Sequence, residues 1–190
     1  PFHEGGRSEG ADVAKSAVSI QMQMQHHFPG STWVLQGWQH NPSKTLLSGL
    51  DKTKTIVIEL FGENSANWEN RNCYEETPFV WCHVSNFGEK TGLYGKLQRF
   101  ANEVQRAKTS SCRTLMKGIG FIPEGLNNNP VAYDLMTELA WIDAPIDVSE
   151  WIDGYLLARY GNTNDKLRQA WQLLLQTAYC SPDVYQEEIG

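Results

Sequence analysis

Two glutamates stand apart from the other acids of this 190-residue chain. Glu4 lies in "PFHEGG" and Glu124 in "GFIPEGLNNNP"; each is followed by glycine, and neither has an adjacent lysine or arginine that would mark half of a solvated ion pair. Glycine lets the backbone turn away sharply and lets a ligand come close. If a fold brings two such acids together, one stays ionised while burial or its neighbour's charge keeps the other protonated. Such a pair is the equipment for cleaving a glycosidic bond. Taken singly, each glutamate also has a plainer reading, a surface turn made of Pro, Gly and Asn.

Other chemistries have less support. The histidines His3, His26, His27, His40 and His83 show no metal-ligand spacing. His26-His27 closes a helical pattern, where positive charge complements the dipole. No metal and no organic cofactor is expected. "GIGFIPEG" has neither the glycine order nor the Lys-Ser/Thr of a phosphate loop, and no G-x-S-x-G elbow is present for a serine nucleophile. Of the four cysteines, Cys82 sits in an apolar run and reads as a small core residue. Cys73, Cys112 and Cys180 leave room for one disulfide with no pairing preferred.

The elements that must hold the two acids alternate. "STWVLQGW" (31–38), "KTIVIELF" (54–61), "PFVWCHV" (78–84) and "MKGIGFI" (116–122) read as strands, several of them nearly continuous in apolar residues. That is the mark of a parallel sheet covered on both faces. Helical spacing runs through 11–27 and 91–106, and a third helix follows Asn129, a predicted N-cap, and Pro130, a first-turn residue. A fifth strand is implied just before Glu4. Near residue 145 the alternation ends, and 148–160 and 164–179 read as two amphipathic helices with Gly161 stopping the first. The expected class is α/β with a parallel sheet. In such sheets ligands bind at the carboxyl ends of the strands, where Glu4, Gln36, Trp38, Glu63, Ser85, Asn86 and Glu124 fall.

A net charge of −6 without a Lys/Arg cluster argues against a nucleic-acid surface. No apolar run reaches the length of a membrane span, and no leader peptide is read at Pro1, although a start without Met points to a longer natural chain. Seven Trp and seven Tyr supply flat apolar faces of the kind sugar rings stack on, besides their ordinary place in a core.

The ordered set "STWVLQGW", "IVIELFGE", "PFVWCHVSNFG", "GFIPEGLNNNPVAYDLMTELAW" and "WIDGYLLARYG" resembles the α-N-acetylglucosaminidases of glycoside hydrolase family 89, over about residues 1–180. The resemblance implies a (β/α)8, TIM-type barrel followed by an all-helical domain. Residues 1–145 would form the C-terminal portion of that barrel, a partial barrel carrying strand ends four to eight, and residues 146–190 the start of the all-α domain. It implies a retaining exo-glycosidase acting on glycans with terminal α-linked N-acetylglucosamine. Glu124 maps onto the nucleophile, Glu4 onto the acid/base, and Trp38 onto a wall of the sugar pocket. His3, Cys82 and Asn86 fall among the substrate-binding positions. Where the family has Asn before the acid this chain has His3, and where it has His before "NFG" this chain has Ser85, so substrate preference is where a difference is expected. Secretion or the periplasm suits bacterial relatives, the lysosome eukaryotic ones. A partial barrel exposes strand edges, so the chain alone is expected to be inactive, and a non-catalytic glycan-binding or structural fragment is the alternative. Attack by the substrate's own acetamide suits β-linkages; in an α-linkage the acetamide cannot reach the face opposite the leaving group.

Overall fold

The computed structural model describes residues 10–64, 66–85, 96–126 and 128–180. Four strands, β1 (Trp33–Gly37), β2 (Thr55–Glu59), β3 (Phe79–Ser85) and β4 (Met116–Pro123), form one sheet in the order β1-β2-β3-β4. β1 pairs parallel with β2, from Trp33 against Thr55 to Gly37 against Glu59, and β2 pairs parallel with β3. β4 runs the same way. Phe79 N–H donates to Leu115 O at the start of the β3–β4 ladder (3.0 Å), and Glu124 N–H donates to Ser85 O at its end (3.0 Å). The α/β class and the parallel sheet are therefore as expected. Burial grades across the sheet: six of the seven β3 residues are buried, whereas β1 alternates and leaves Val34 53% exposed. The continuous apolar reading thus holds for β3, whereas β1 and β2 alternate and β4 is half-buried along most of its length; the fifth strand expected before Glu4 lies outside the described residues.

The chain packs as two compact units. The first comprises Pro1–Cys82 and Ser110–Gly118. Its helix α1 (Val13–His27) starts at Asp12, whose carboxylate accepts from Lys15 N–H at 3.0 Å. Gln21, buried on α1, ties the helix to the entry of β2: its amide donates to Thr55 Oγ1 (2.9 Å) and accepts from Asp51 N–H (2.8 Å). Short helices α2 (Lys44–Ser48), α3 (Asn67–Asn70) and α4 (Asn72–Glu76) occupy connections to which the sequence reading assigned no element. Leu47, Val57, Trp68, Tyr74, Phe79 and Trp81 form the core, all at most 1% exposed. Gly62 admits the Trp81 indole: a Cβ there would lie 2.3 Å from the ring.

α4 is an unusual element. Residues Asn72 to Glu76 all have positive φ, from +47° to +61°, which makes it a left-handed turn. Left-handed geometry costs roughly 1–2 kcal/mol per non-glycine residue, so tethers must impose it. A disulfide joins Cys73 to Cys112, Arg71 pairs with Glu75 at 2.8 Å, and the Arg71 guanidinium lies 4.9 Å above the Tyr74 ring. Lys52 also donates to the Glu75 carbonyl.

The second unit comprises His83–Thr109 and Ile119–Gly190. Its helices are α5 (Leu97–Thr109), α6 (Pro130–Leu139), α7 (Val148–Tyr160) and α8 (Asp165–Gln176). α5 runs beyond the predicted end at 106, and residues 91–95 of that prediction lie outside the described residues. Leu97, Phe100 and Val104 on α5, Leu135 and Met136 on α6, and Ile152 and Leu156 on α7 are buried. Gly161 ends α7 at φ +67°, as its position predicts. In α8 Trp171 is buried, stacked parallel on Tyr179 with centroids 6.0 Å apart, while Leu167, Leu174 and Leu175 are half-buried.

Candidate functional site

In the first unit the ends of β1 and β2 present a buried acidic and aromatic cluster. Trp38, directly after β1, is half-buried with its ring 4.7 Å from Phe61, tilted by 35°. Gly37 before it is required by close approach, since a Cβ would lie 2.9 Å from the Ile58 carbonyl and from the Tyr74 hydroxyl. Glu59, the last residue of β2, is fully buried and accepts from Asn67 N–H (2.8 Å) and Trp68 N–H (3.3 Å) at the start of α3. Burial pushes its carboxyl up to about 7, with the charge of Glu63 adding to the rise and the two backbone bonds and Arg71 opposing it. Burial first, then the Glu59 charge, raises the Tyr74 phenol above its ordinary value. The same two causes push the Cys82 thiol up to about 12, so Cys82 stands as a neutral thiol, 3% exposed, and not as a thiolate nucleophile.

In the second unit Glu124 follows Pro123, the last residue of β4. Its amide is fixed on Ser85 O and its side chain is exposed. The loop after it is braced by Asn128, whose amide donates to Gly125 O (3.2 Å) and Leu126 O (3.3 Å). Asn128 Oδ1 accepts from the Tyr133 hydroxyl (2.7 Å) and from Ser85 Oγ (3.2 Å), and the two hydroxyls lie 2.8 Å apart. Tyr133 stacks face to face on Phe121 of β4 at 3.9 Å. Asn129 occupies the N-cap position of α6 as predicted, but its side chain does not cap the helix; its amide donates to the Tyr179 hydroxyl at 3.1 Å.

Of the residues selected from sequence, Trp38 and Cys82 belong to the first unit and Glu124 to the second, while His3, Glu4 and Asn86 lie outside the described residues. Among the described residues no three His, Cys, Asp or Glu side chains gather as metal ligands. Sequence reading missed Glu59, although one carboxylate inside the apolar run "TIVIELF" is itself a sign of a buried acid. It also passed over Asn128 and Tyr133, which carry no motif of their own.

Two family models match the chain. The alpha-N-acetylglucosaminidase (NAGLU) tim-barrel domain matches residues 1–143, and the C-terminal domain of the same family matches residues 151–189. Human alpha-N-acetylglucosaminidase is 31% identical over 185 residues, covering 92% of this chain and 25% of its own length. Among solved structures, the family 89 glycoside hydrolase from Clostridium perfringens in complex with 2-acetamido-1,2-dideoxynojirimycin superposes with a TM-score of 0.89 at 38% identity, over 97% of this chain and 21% of that one. A form of the Clostridium perfringens enzyme with two glutamates changed to glutamine, in complex with its substrate GlcNAc-α-1,4-galactose, matches with the same TM-score, 0.89, at 37% identity and the same coverage. The chain thus spans about a quarter of the length of the relatives it matches.

Proposed function

Because the chain belongs to the alpha-N-acetylglucosaminidase family of glycoside hydrolases, we propose that it carries the catalytic carboxylates of a retaining exo-glycosidase that releases terminal α-linked N-acetylglucosamine from glycans. Glu124 is the nucleophile and Glu4 the acid/base. Protonated Glu4 gives its proton to the glycosidic oxygen while the Glu124 carboxylate attacks the anomeric carbon. The bond to the leaving group breaks and a covalent glycosyl-enzyme forms. Glu4, now ionised, takes a proton from water as that water attacks the same carbon; the sugar leaves in the α-configuration, Glu124 is freed and Glu4 is protonated again. Trp38 supplies an apolar wall, with His3, Cys82 and Asn86 in the substrate-binding set. Residues 1–145 are read as the later portion of a (β/α)8 barrel and residues 146–190 as the start of an all-helical domain.

The observation that carries this reading is the position of Glu124. It is an exposed carboxylate on a sharp exit from the carboxyl end of a parallel strand, pinned through its amide to the neighbouring strand. The Clostridium perfringens substrate complex supports it, since its two altered glutamates are separated along that chain by nearly as many residues as Glu4 and Glu124 here.

The test is incubation of the protein, carrying this chain within the full length of its relatives, with GlcNAc-α-1,4-galactose, followed by NMR. Free N-acetylglucosamine should appear first as the α-anomer, and Glu4→Gln or Glu124→Gln should each lower kcat by about a thousandfold or more. Initial release of the β-anomer would exclude the double displacement. A second reading, a glycan-binding or structural piece without hydrolysis, is favoured by the chain's spanning a quarter of its relatives' length. Binding of the disaccharide without turnover would select it.

A further inference from the structure

The connection from β4 to α6 must hold Glu124 in one direction, although its own backbone does little to do so. A turn of Gly, Leu and Asn residues after an exposed acid samples many conformations unless its carbonyls are tied. Here they are tied by a closed circuit of contacts within the second unit. Phe121 on β4 fixes the ring plane of Tyr133 on α6 by parallel stacking at 3.9 Å. The Tyr133 hydroxyl donates to Asn128 Oδ1 at 2.7 Å. Asn128 Nδ2 then holds the carbonyls of Gly125 and Leu126, the two residues that follow Glu124. Ser85, at the end of β3, closes the circuit twice, through its hydroxyl to Tyr133 and Asn128 and through its carbonyl to the Glu124 amide. The amide nitrogen of Asn128 faces two carbonyls, so its oxygen is the acceptor toward the Tyr133 and Ser85 hydroxyls, either of which can also donate to the other.

We propose that Tyr133, Asn128 and Ser85 are positioning residues that form a clamp aiming the Glu124 carboxylate, an inference that rests on the reading of Glu124 as nucleophile. The clamp touches the backbone on both sides of Glu124 and leaves its side chain exposed. A nucleophile displaced by about 1 Å loses on the order of a hundredfold in rate, so the clamp acts on kcat and has little effect on substrate affinity.

Two substitutions separate this role from plain stability. Tyr133→Phe keeps the ring stack and removes the hydroxyl. Asn128→Asp is nearly isosteric but turns a carboxylate oxygen toward the Gly125 and Leu126 carbonyls. Each should lower kcat about tenfold to a hundredfold with KM within about twofold, and should speed hydrogen exchange of the Glu124 amide, the one N–H of this turn that the circuit holds, on Ser85 O. Unchanged exchange in both variants would overturn the clamp whatever the activity. Unchanged kcat in an active protein, with faster exchange, would overturn its catalytic role. Faster exchange in the variants, where a parent of the relatives' full length hydrolyses nothing, would uphold the clamp and remove the nucleophile reading instead.

Discussion

Glu59 and Glu124 are both glutamates at strand ends, yet their surroundings give them different chemistry. Glu124 is exposed, whereas Glu59 has lost its water and faces Glu63, Arg71, Tyr74 and Cys82. The raised Glu59 pKa has a stability consequence with a definite sign. The unfolded carboxyl ionises near its ordinary value of 4.5, while the folded one keeps its proton to about 7. Between those values the folded state binds more protons, so rising pH favours unfolding. The stabilisation is fully present below the lower value and lost as pH rises through the upper one. Urea denaturation at pH 5 and pH 8 should show the protein less stable at pH 8, by at most roughly 3 kcal/mol from this group. The difference between the parent and Glu59→Gln isolates that contribution; if the two proteins show the same pH dependence, Glu59 is not the group responsible.

At the scale of elements, the regular strands and helices follow local pattern and the turns between them do not. β3, β4, α6 and α7 could be read because their apolar spacing and their Pro130 and Gly161 signals agree with the packing found. The left-handed turn α4 could not. Asn-Cys-Tyr-Glu-Glu contains no glycine, and only Asn72 is of a type that readily takes positive φ. The Cys73–Cys112 bridge and the Arg71 contacts impose it. Its conformation reverses the usual effect of glycine in a helix. Glu76 is exposed at φ +61°, so Glu76→Gly should raise stability by about 1 kcal/mol, where glycine in a right-handed helix costs about that much. A thermal midpoint that falls in this variant would show that the turn is not left-handed in solution.

For the whole molecule, the disulfide is the covalent cross-link of the first unit, joining positions 39 residues apart. Closing a loop of that length lowers the entropy of the unfolded chain by about 4 kcal/mol in free-energy terms. Reduction with dithiothreitol, or Cys73→Ala with Cys112→Ala, should therefore lower the unfolding free energy of the protein by that order. An unchanged denaturation curve after complete reduction would show that the bridge is not formed or contributes nothing. Among the described residues no helix is long and apolar enough to cross a membrane.

The sequence by itself determined the alternation of strands and helices, the parallel sheet, the end of β4 at Pro123-Glu124 and the family, because each is written in short-range periodicity, turn residues or ordered motifs. Tertiary structure alone decided the partner of Cys73, the left-handed turn it holds, the burial that moves Glu59 and Cys82, and the meeting of Ser85, Asn128 and Tyr133 behind Glu124. Those features join residues far apart in the chain. Their energies come from desolvation, stacking and hydrogen-bond geometry, which exist only once the chain has folded.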